Sequence, residues 1–406
     1  MTVSRRNMLM ASLAAPVATK LAAATSPAAL PDKMSFVPAD VTYLDPGSTH
    51  PVSIGARAAV DRYLRHRMLD PTAAAYELDE DGVRARFAAL VGADADEIAY
   101  VQSTTAGEQL VIAALGLPAQ GAHIVTDTLH FFGSFPLYEQ LAKQGCRVTW
   151  LRPTQGRIRV EEIERAITPG TKLVAVSAVS TFNGFAHDLR RVAEIAHANG
   201  ALVYADIIHA AGCVPIDLHA TGVDFAACSS YKWLMGDFGL GFLYARKDRL
   251  ASLKRTQAGY YGIDSFQSHV YPLDPPGSNI ADYSFSDTAM GHFAFGTYSH
   301  MGVAALGWSL DYIMKLGVPR IQTHAQELTD RLKRELPRLG YKVDTPPEAR
   351  TPIVTCIYPD ARKKLKTKLD AAKIRMTVGD NRFRATVSVF NDMNDIDKLL
   401  ATLGRA

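Results

Sequence analysis

Ala201-Leu202-Val203-Tyr204-Ala205-Asp206 and, downstream, Phe225-Ala226-Ala227-Cys228-Ser229-Ser230-Tyr231-Lys232-Trp233 are apolar runs that each lead into a charged group. Both read as strands, and in an open α/β sheet the carboxyl ends of strands are where ligands gather. A lone Asp after a strand is more often a helix cap or a turn residue. A lysine following the second strand, flanked by hydroxyls and aromatics, is costly unless solvated, paired or covalently used. Its free pKa of about 10.4 must fall before the amine serves as nucleophile or base. An acid and a lysine on nearby strand ends suit pyridoxal 5′-phosphate (PLP). That cofactor needs a lysine for its Schiff base and an acid against its pyridinium nitrogen.

Outward from these runs the same alternation continues. Strand candidates are His123 to Thr126, Cys146 to Leu151, Lys172 to Ser177, Ala201 to Ala205, Phe225 to Cys228 and Gly241 to Tyr244. Helical patterns at Leu137 to Lys143, Val160 to Ala166 and Leu189 to Ala198 lie between them. Strands alternating with helices predict an α/β fold, a mostly parallel sheet wrapped by helices. The last hundred residues change character. Long helices at His300 to Leu316 and Ile321 to Leu336, short strands, and a closing helix from Asp395 predict a smaller α+β domain. The expected division is 46–300 for the large domain and 301–406 for the small one, with an extended arm over 25–45.

The chain has 406 residues, 48% hydrophobic and 21% charged, which is globular composition. A formal charge of +3 gives no reason to expect a nucleic-acid partner. Cys146, Cys213, Cys228 and Cys356 are too few and too scattered for a disulfide framework, and no pair has zinc-site spacing. The start reads as an export signal. Arg5-Arg6 precede a short apolar run, Met8 to Ala18, and then the small residues Ala22-Ala23-Ala24. That run is too short for a stable membrane anchor. The arginine pair resembles a twin-arginine signal over residues 1–24, which predicts passage through that export machinery and a periplasmic protein beginning near Thr25.

Asp206-x-x-His209, then Ser229-Ser230-Tyr231-Lys232-Trp233-Leu234, then Gly239-Leu240-Gly241-Phe242-Leu243 resembles the class V aminotransferase family of fold-type I PLP enzymes. That family includes cysteine desulfurases, kynureninase and isopenicillin N epimerase. The resemblance runs from about Tyr43 to the C-terminus. It implies that Lys232 is the Schiff-base lysine, Asp206 the partner of the pyridine nitrogen, and His209 a neighbour of the phenolic oxygen or the substrate. Thr104 and Thr105, at the start of a predicted helix, match the phosphate-binding turn. Ser229 and Tyr231 match positions that also reach the phosphate. His130 matches the aromatic that stacks on the ring, with Phe131 or Phe132 as alternatives. Arg384 matches the arginine that grips the substrate α-carboxylate, a task for its planar fork. Gly296 and Thr297 resemble the segment by which one subunit completes its neighbour's phosphate site, implying a homodimer with shared active sites.

Two departures stand out. The segment Ile374 to Asp380 has no cysteine where the persulfide-forming desulfurases carry theirs, which predicts that this chain is not one of them. Tyr231 stands where histidine commonly precedes the lysine. Ser180, Thr181 and Asn183 all stand where the family bonds the phenolic oxygen, and the sequence does not choose among them. The resemblance thus implies a PLP enzyme that removes the Cα proton of an amino acid or an amino-acid-containing metabolite, as aminotransferase or lyase. The alternatives are an epimerase and a non-catalytic binding protein of the same fold. A nucleotide-dependent oxidoreductase is excluded, since no G-x-G-x-x-G follows a strand.

Overall fold

The computed structural model describes residues 29–37, 40–76 and 78–404. The export signal over 1–24 lies outside the described residues. The strands are β1 (Thr42–Tyr43), β2 (Ile98–Val101), β3 (His123–Asp127), β4 (Arg147–Leu151), β5 (Thr171–Ser177), β6 (Leu202–Asp206), β7 (Phe225–Ser229) and β8 (Gly241–Ala245). A hairpin of β9 (Ile263–Ser268) and β10 (Ala281–Phe285) follows. The C-terminal part adds β11 (Lys342–Val343), β12 (Ile353–Ile357), β13 (Ile374–Arg375), β14 (Thr377–Val378) and β15 (Arg382–Thr386).

The large sheet has the order β2-β8-β7-β6-β5-β3-β4. Strands β4, β3, β5, β6 and β7 are parallel, and β8 runs antiparallel to both β7 and β2. The predicted α/β class and the six predicted strands are present, with ends moved by a residue or so. Both faces of the sheet are covered, which is why its strands read as nearly continuous apolar runs. In β6 and β7, Val203, Ala205, Ala226 and Cys228 pack into one core cluster, and Tyr204, Phe225 and Ala227 into the opposite one. The carboxyl ends line up: Ser177 pairs with Asp206, and Asp206 with Ala227.

A second, antiparallel sheet has the order β11-β12-β15-β14, and β1 pairs in parallel with β13. Its core includes Leu328, Leu332, Val354, Phe383 and Leu399, together with Leu44 from the arm. The helix His300–Leu316, assigned by the sequence to the small domain, packs instead with the large sheet. Its Val303, Leu306, Leu310 and Ile313 join the cluster that holds Val203 and Ala226. The change in composition at residue 300 marks the helix, and the change in packing comes after it. No described helix is long and apolar enough to cross a membrane.

Candidate active site

Lys232 follows β7 and turns its amine back over the strand ends. Its Nζ lies 3.1 Å from His209 Nε2, and the Trp233 indole N–H donates to His209 Nδ1 at 3.1 Å. An indole N–H only donates, so Nδ1 is an acceptor and the neutral imidazole carries its proton on Nε2. That N–H faces the Lys232 amine, which can accept it only once the amine has lost its own proton. Burial pushes Lys232 down to about 8, against the opposing pull of Asp206. Burial also pushes His209 well below the usual histidine range, helped by the charges of Lys232 and Arg384. Asp206 ends β6, and its Oδ1 accepts from Ile208 N at 2.9 Å. Burial raises its pKa, while the His130 charge and that N–H act the other way.

Ser103 caps the helix Thr104–Ala114, its side chain accepting from Ala106 N. Thr104 N donates to Ser229 Oγ at 2.7 Å, and Ser229 N donates to Thr104 Oγ1 at 2.9 Å. These bonds clip the helix start to the end of β7. Gly107 permits the approach, since a Cβ there would come within 2.8 Å of the Ala227 Cβ. Thr104 and Ser229 are thus together, as the sequence predicts, and Thr105 follows in the first turn. Tyr231 is set apart from them. Its ring stacks on Phe238 with centroids 4.4 Å apart and lines a cavity with Lys232.

His130 is fully buried and bonded at both nitrogens, to Ser177 Oγ at 2.8 Å and to Glu108 Oε1 at 2.9 Å. Ser134 Oγ and the Tyr138 hydroxyl also donate to Glu108, at 2.5 and 2.6 Å. Burial alone would disfavour both charges. The mutual attraction and the converging hydrogen bonds outweigh it, so His130 is raised and Glu108 lowered. Both shifts favour an imidazolium beside a carboxylate. The sequence reading gave Glu108 no role. Its signal is a charged residue on the inward stripe Thr104, Gly107, Glu108, Val111 and Ile112 of an otherwise apolar helix.

Beside Lys232 opens a cavity of about 270 Å³ lined by Ser48, Phe131, Phe132, Phe182, Thr377 and Arg384, among others. Arg384 lies on β15, and its guanidinium donates to Thr181 O at 3.0 Å, Thr181 Oγ1 at 2.6 Å and Ser48 Oγ at 2.7 Å. Asp45 Oδ1 lies 3.3 Å from it. Of the three residues left open by the sequence, Thr181 alone lines this cavity. Ser180 donates to Leu129 O, and Asn183 donates to Gly156 O while accepting from Phe185 N in its own turn. Gly296 and Thr297 do not reach Lys232 in their own chain. They line a separate cavity of about 640 Å³ with Gln102, Ala106 and Gly239, near the start of the helix Thr104–Ala114.

This donor set fits PLP. It offers a buried carboxylate with one oxygen committed, an amine of lowered basicity, and hydroxyls with N–H groups at a helix start.

The Aminotransferase class-V family matches residues 57–399. A probable cysteine desulfurase of Halalkalibacterium halodurans is 27% identical over 385 residues, covering 88% of this chain and 91% of the relative. An uncharacterized aminotransferase, YcbU of Bacillus subtilis, is 30% identical over 60% of this chain and 61% of its own. Among solved structures, the apo cysteine desulfurase of Thermococcus onnurineus NA1 superposes with a TM-score of 0.77 at 23% identity, covering 89% of this chain and 93% of that one. The cystine C–S lyase C-DES gives 0.79 at 19% identity, covering 90% and 98%. These relatives overturn the expectation that the chain stands apart from the persulfide-forming cysteine desulfurases. That expectation weighed one missing side chain in a seven-residue segment against a likeness that spans nearly the whole chain.

Proposed function

Because the chain belongs to the class-V aminotransferase family and is a PLP-dependent enzyme, we propose that it binds an α-amino acid beside Lys232 and removes its Cα proton. Transamination or elimination then follows. The observation that carries this reading is the buried Lys232 amine, held by a neutral His209 and sharing one cavity with Arg384. When bound, PLP supplies a carbonyl for the substrate amine and an electron sink for the Cα electrons. The protein does the rest. Arg384 binds the α-carboxylate through N–H groups now turned to Thr181 and Ser48. Lys232 Nζ, with its pKa lowered toward neutrality, takes the Cα proton. His209, itself fixed by the Trp233 indole, lies beside the amine and positions it. Asp206 carries the negative charge that keeps a ring nitrogen protonated, and Phe131, Phe132 and Phe182 keep water from the site.

Names of the relatives make cysteine the first amino acid to try. The purified protein is expected to show a yellow lysine-bound cofactor band, absent from Lys232→Ala. Bleaching that persists, and recovers with a keto acid, marks a transaminase. A transient change with release of ammonia or a keto acid marks a lyase, and loss of Cα stereochemistry with neither marks an epimerase. An undiminished band in Lys232→Ala would overturn the proposal.

The Arg5-Arg6 segment supports export of the folded protein to the periplasm. Replacing both arginines by lysine is expected to retain the enzyme in the cytoplasm on cell fractionation. The exposed Phe295-Gly296-Thr297 segment supports a homodimer with shared sites, which predicts a dimeric mass by light scattering and weaker PLP binding in Thr297→Ala.

A further inference from the structure

The substrate cavity holds a second guanidinium. Arg382 lies two residues before Arg384 on β15, so both side chains emerge from one face of the strand about 7 Å apart. Both line the cavity beside Lys232. Three cations line this cavity and no acidic residue does. Lys232 serves the cofactor. Arg384 is already bonded by Thr181 and Ser48 and faced by Asp45. Arg382 stacks on Phe182, its guanidinium carbon 4.6 Å from the ring centroid. Among the described residues it has no ion pair and no side-chain hydrogen bond, and Asp344 acts on it only through space. Stacking on an aromatic accounts for where the planar group lies. It leaves the in-plane N–H donors of this exposed residue without a protein partner, at the mouth of a cavity where Arg384 is placed to bind one carboxylate.

We propose that Arg382 is the specificity residue of this cavity, and that the enzyme takes an α-amino acid with a second carboxylate on its side chain. The proposal rests on the amino-acid reading of the site given above. Phe182 holds the guanidinium flat, so its fork meets that carboxylate in two parallel hydrogen bonds. At about 270 Å³ the cavity lies below the roughly 300–1,000 Å³ of pockets for drug-sized ligands, which suits a single small amino acid.

The test titrates the PLP-loaded enzyme with two isosteric pairs, L-aspartate against L-asparagine and L-glutamate against L-glutamine, following the cofactor spectrum. Within at least one pair the acid is expected to bind about tenfold or more tightly than its amide. In Arg382→Met that ratio falls to about one, because the acid loses far more affinity than its amide, and the melting temperature stays at the wild-type value; Arg382→Lys recovers part of the ratio. Arg384→Met weakens all four ligands together. Amides that bind the wild type as well as the acids do, silence to all four amino acids, or an acid preference that survives Arg382→Met would each overturn the assignment of Arg382. A wild-type protein that gives no lysine-bound cofactor band would sink the reading of the whole site, and this proposal with it.

Discussion

Two histidines face the same strand ends, and their pKa values are pushed in opposite directions. His209 is 2% exposed and His130 fully buried, so the cost of desolvation is similar for both. His209 has an indole N–H on one nitrogen and a lysine on the other, with Arg384 beyond, and it stays neutral. His130 has Glu108 on one side and a hydroxyl on the other, and it is charged. Burial alone does not decide the charge of a histidine here; the group opposite it does. The division also suits the chemistry. A neutral ring beside Lys232 leaves the amine free to accept a proton, while the charged ring near Asp206 helps that acid stay ionised.

The largest test of this contrast is Glu108→Leu, which strands the His130 charge and is expected to cost about 3–4 kcal/mol in urea unfolding. Glu108→Gln keeps a hydrogen-bond acceptor and is expected to cost less. Equal and small losses in both would mean that His130 is neutral like His209. The second test is pH. With Lys232 near 8 when folded and 10.5 when unfolded, the unfolded chain holds more protons between those values, so stability rises with pH there. Relative to Lys232→Met, the cofactor-free wild type is expected to gain about 3 kcal/mol across that window. His130 works the other way. Its share of stability is present below the unfolded histidine value near 6.5 and is lost as pH rises through the raised folded value.

Gly107→Ala drives a methyl toward Ala227 between the two histidine clusters, and is expected to cost about 2 kcal/mol with weaker PLP binding by equilibrium dialysis. The smallest effect is that of Trp233→Phe, at about 1 kcal/mol for the lost indole hydrogen bond. It also frees the His209 proton to move to Nδ1. The pH profile of Lys232 labelling by an amine-reactive reagent should then shift upward.

The sheet was legible because each central strand is buried on both faces and spells that out locally. Asp206, Lys232 and Arg384 were legible because they recur in a fixed order along the chain. Glu108 was hidden, since its meaning depends on His130 and Ser134 meeting it across a helix-to-loop contact that no periodicity encodes. Arg382 was given no reading in the sequence, although its two-residue spacing from Arg384 puts both on one face of β15. The pairing of β1 with β13 joins two residues to two, too short to leave a pattern in either segment.

That last contact has a consequence for how the protein is made. Gly47 N donates to Thr386 Oγ1, Ser48 Oγ meets both Thr377 and Arg384, and Asp45 accepts from Thr377. One wall of the substrate cavity is therefore sewn from segments more than 300 positions apart in the chain. A chain still on the ribosome has Lys232 and Asp206 long before it has Arg384. Arg384 meets Ser48, Thr181 and Asp45 only once the last strand is made, so this wall of the cavity is the last part of the site to assemble during synthesis.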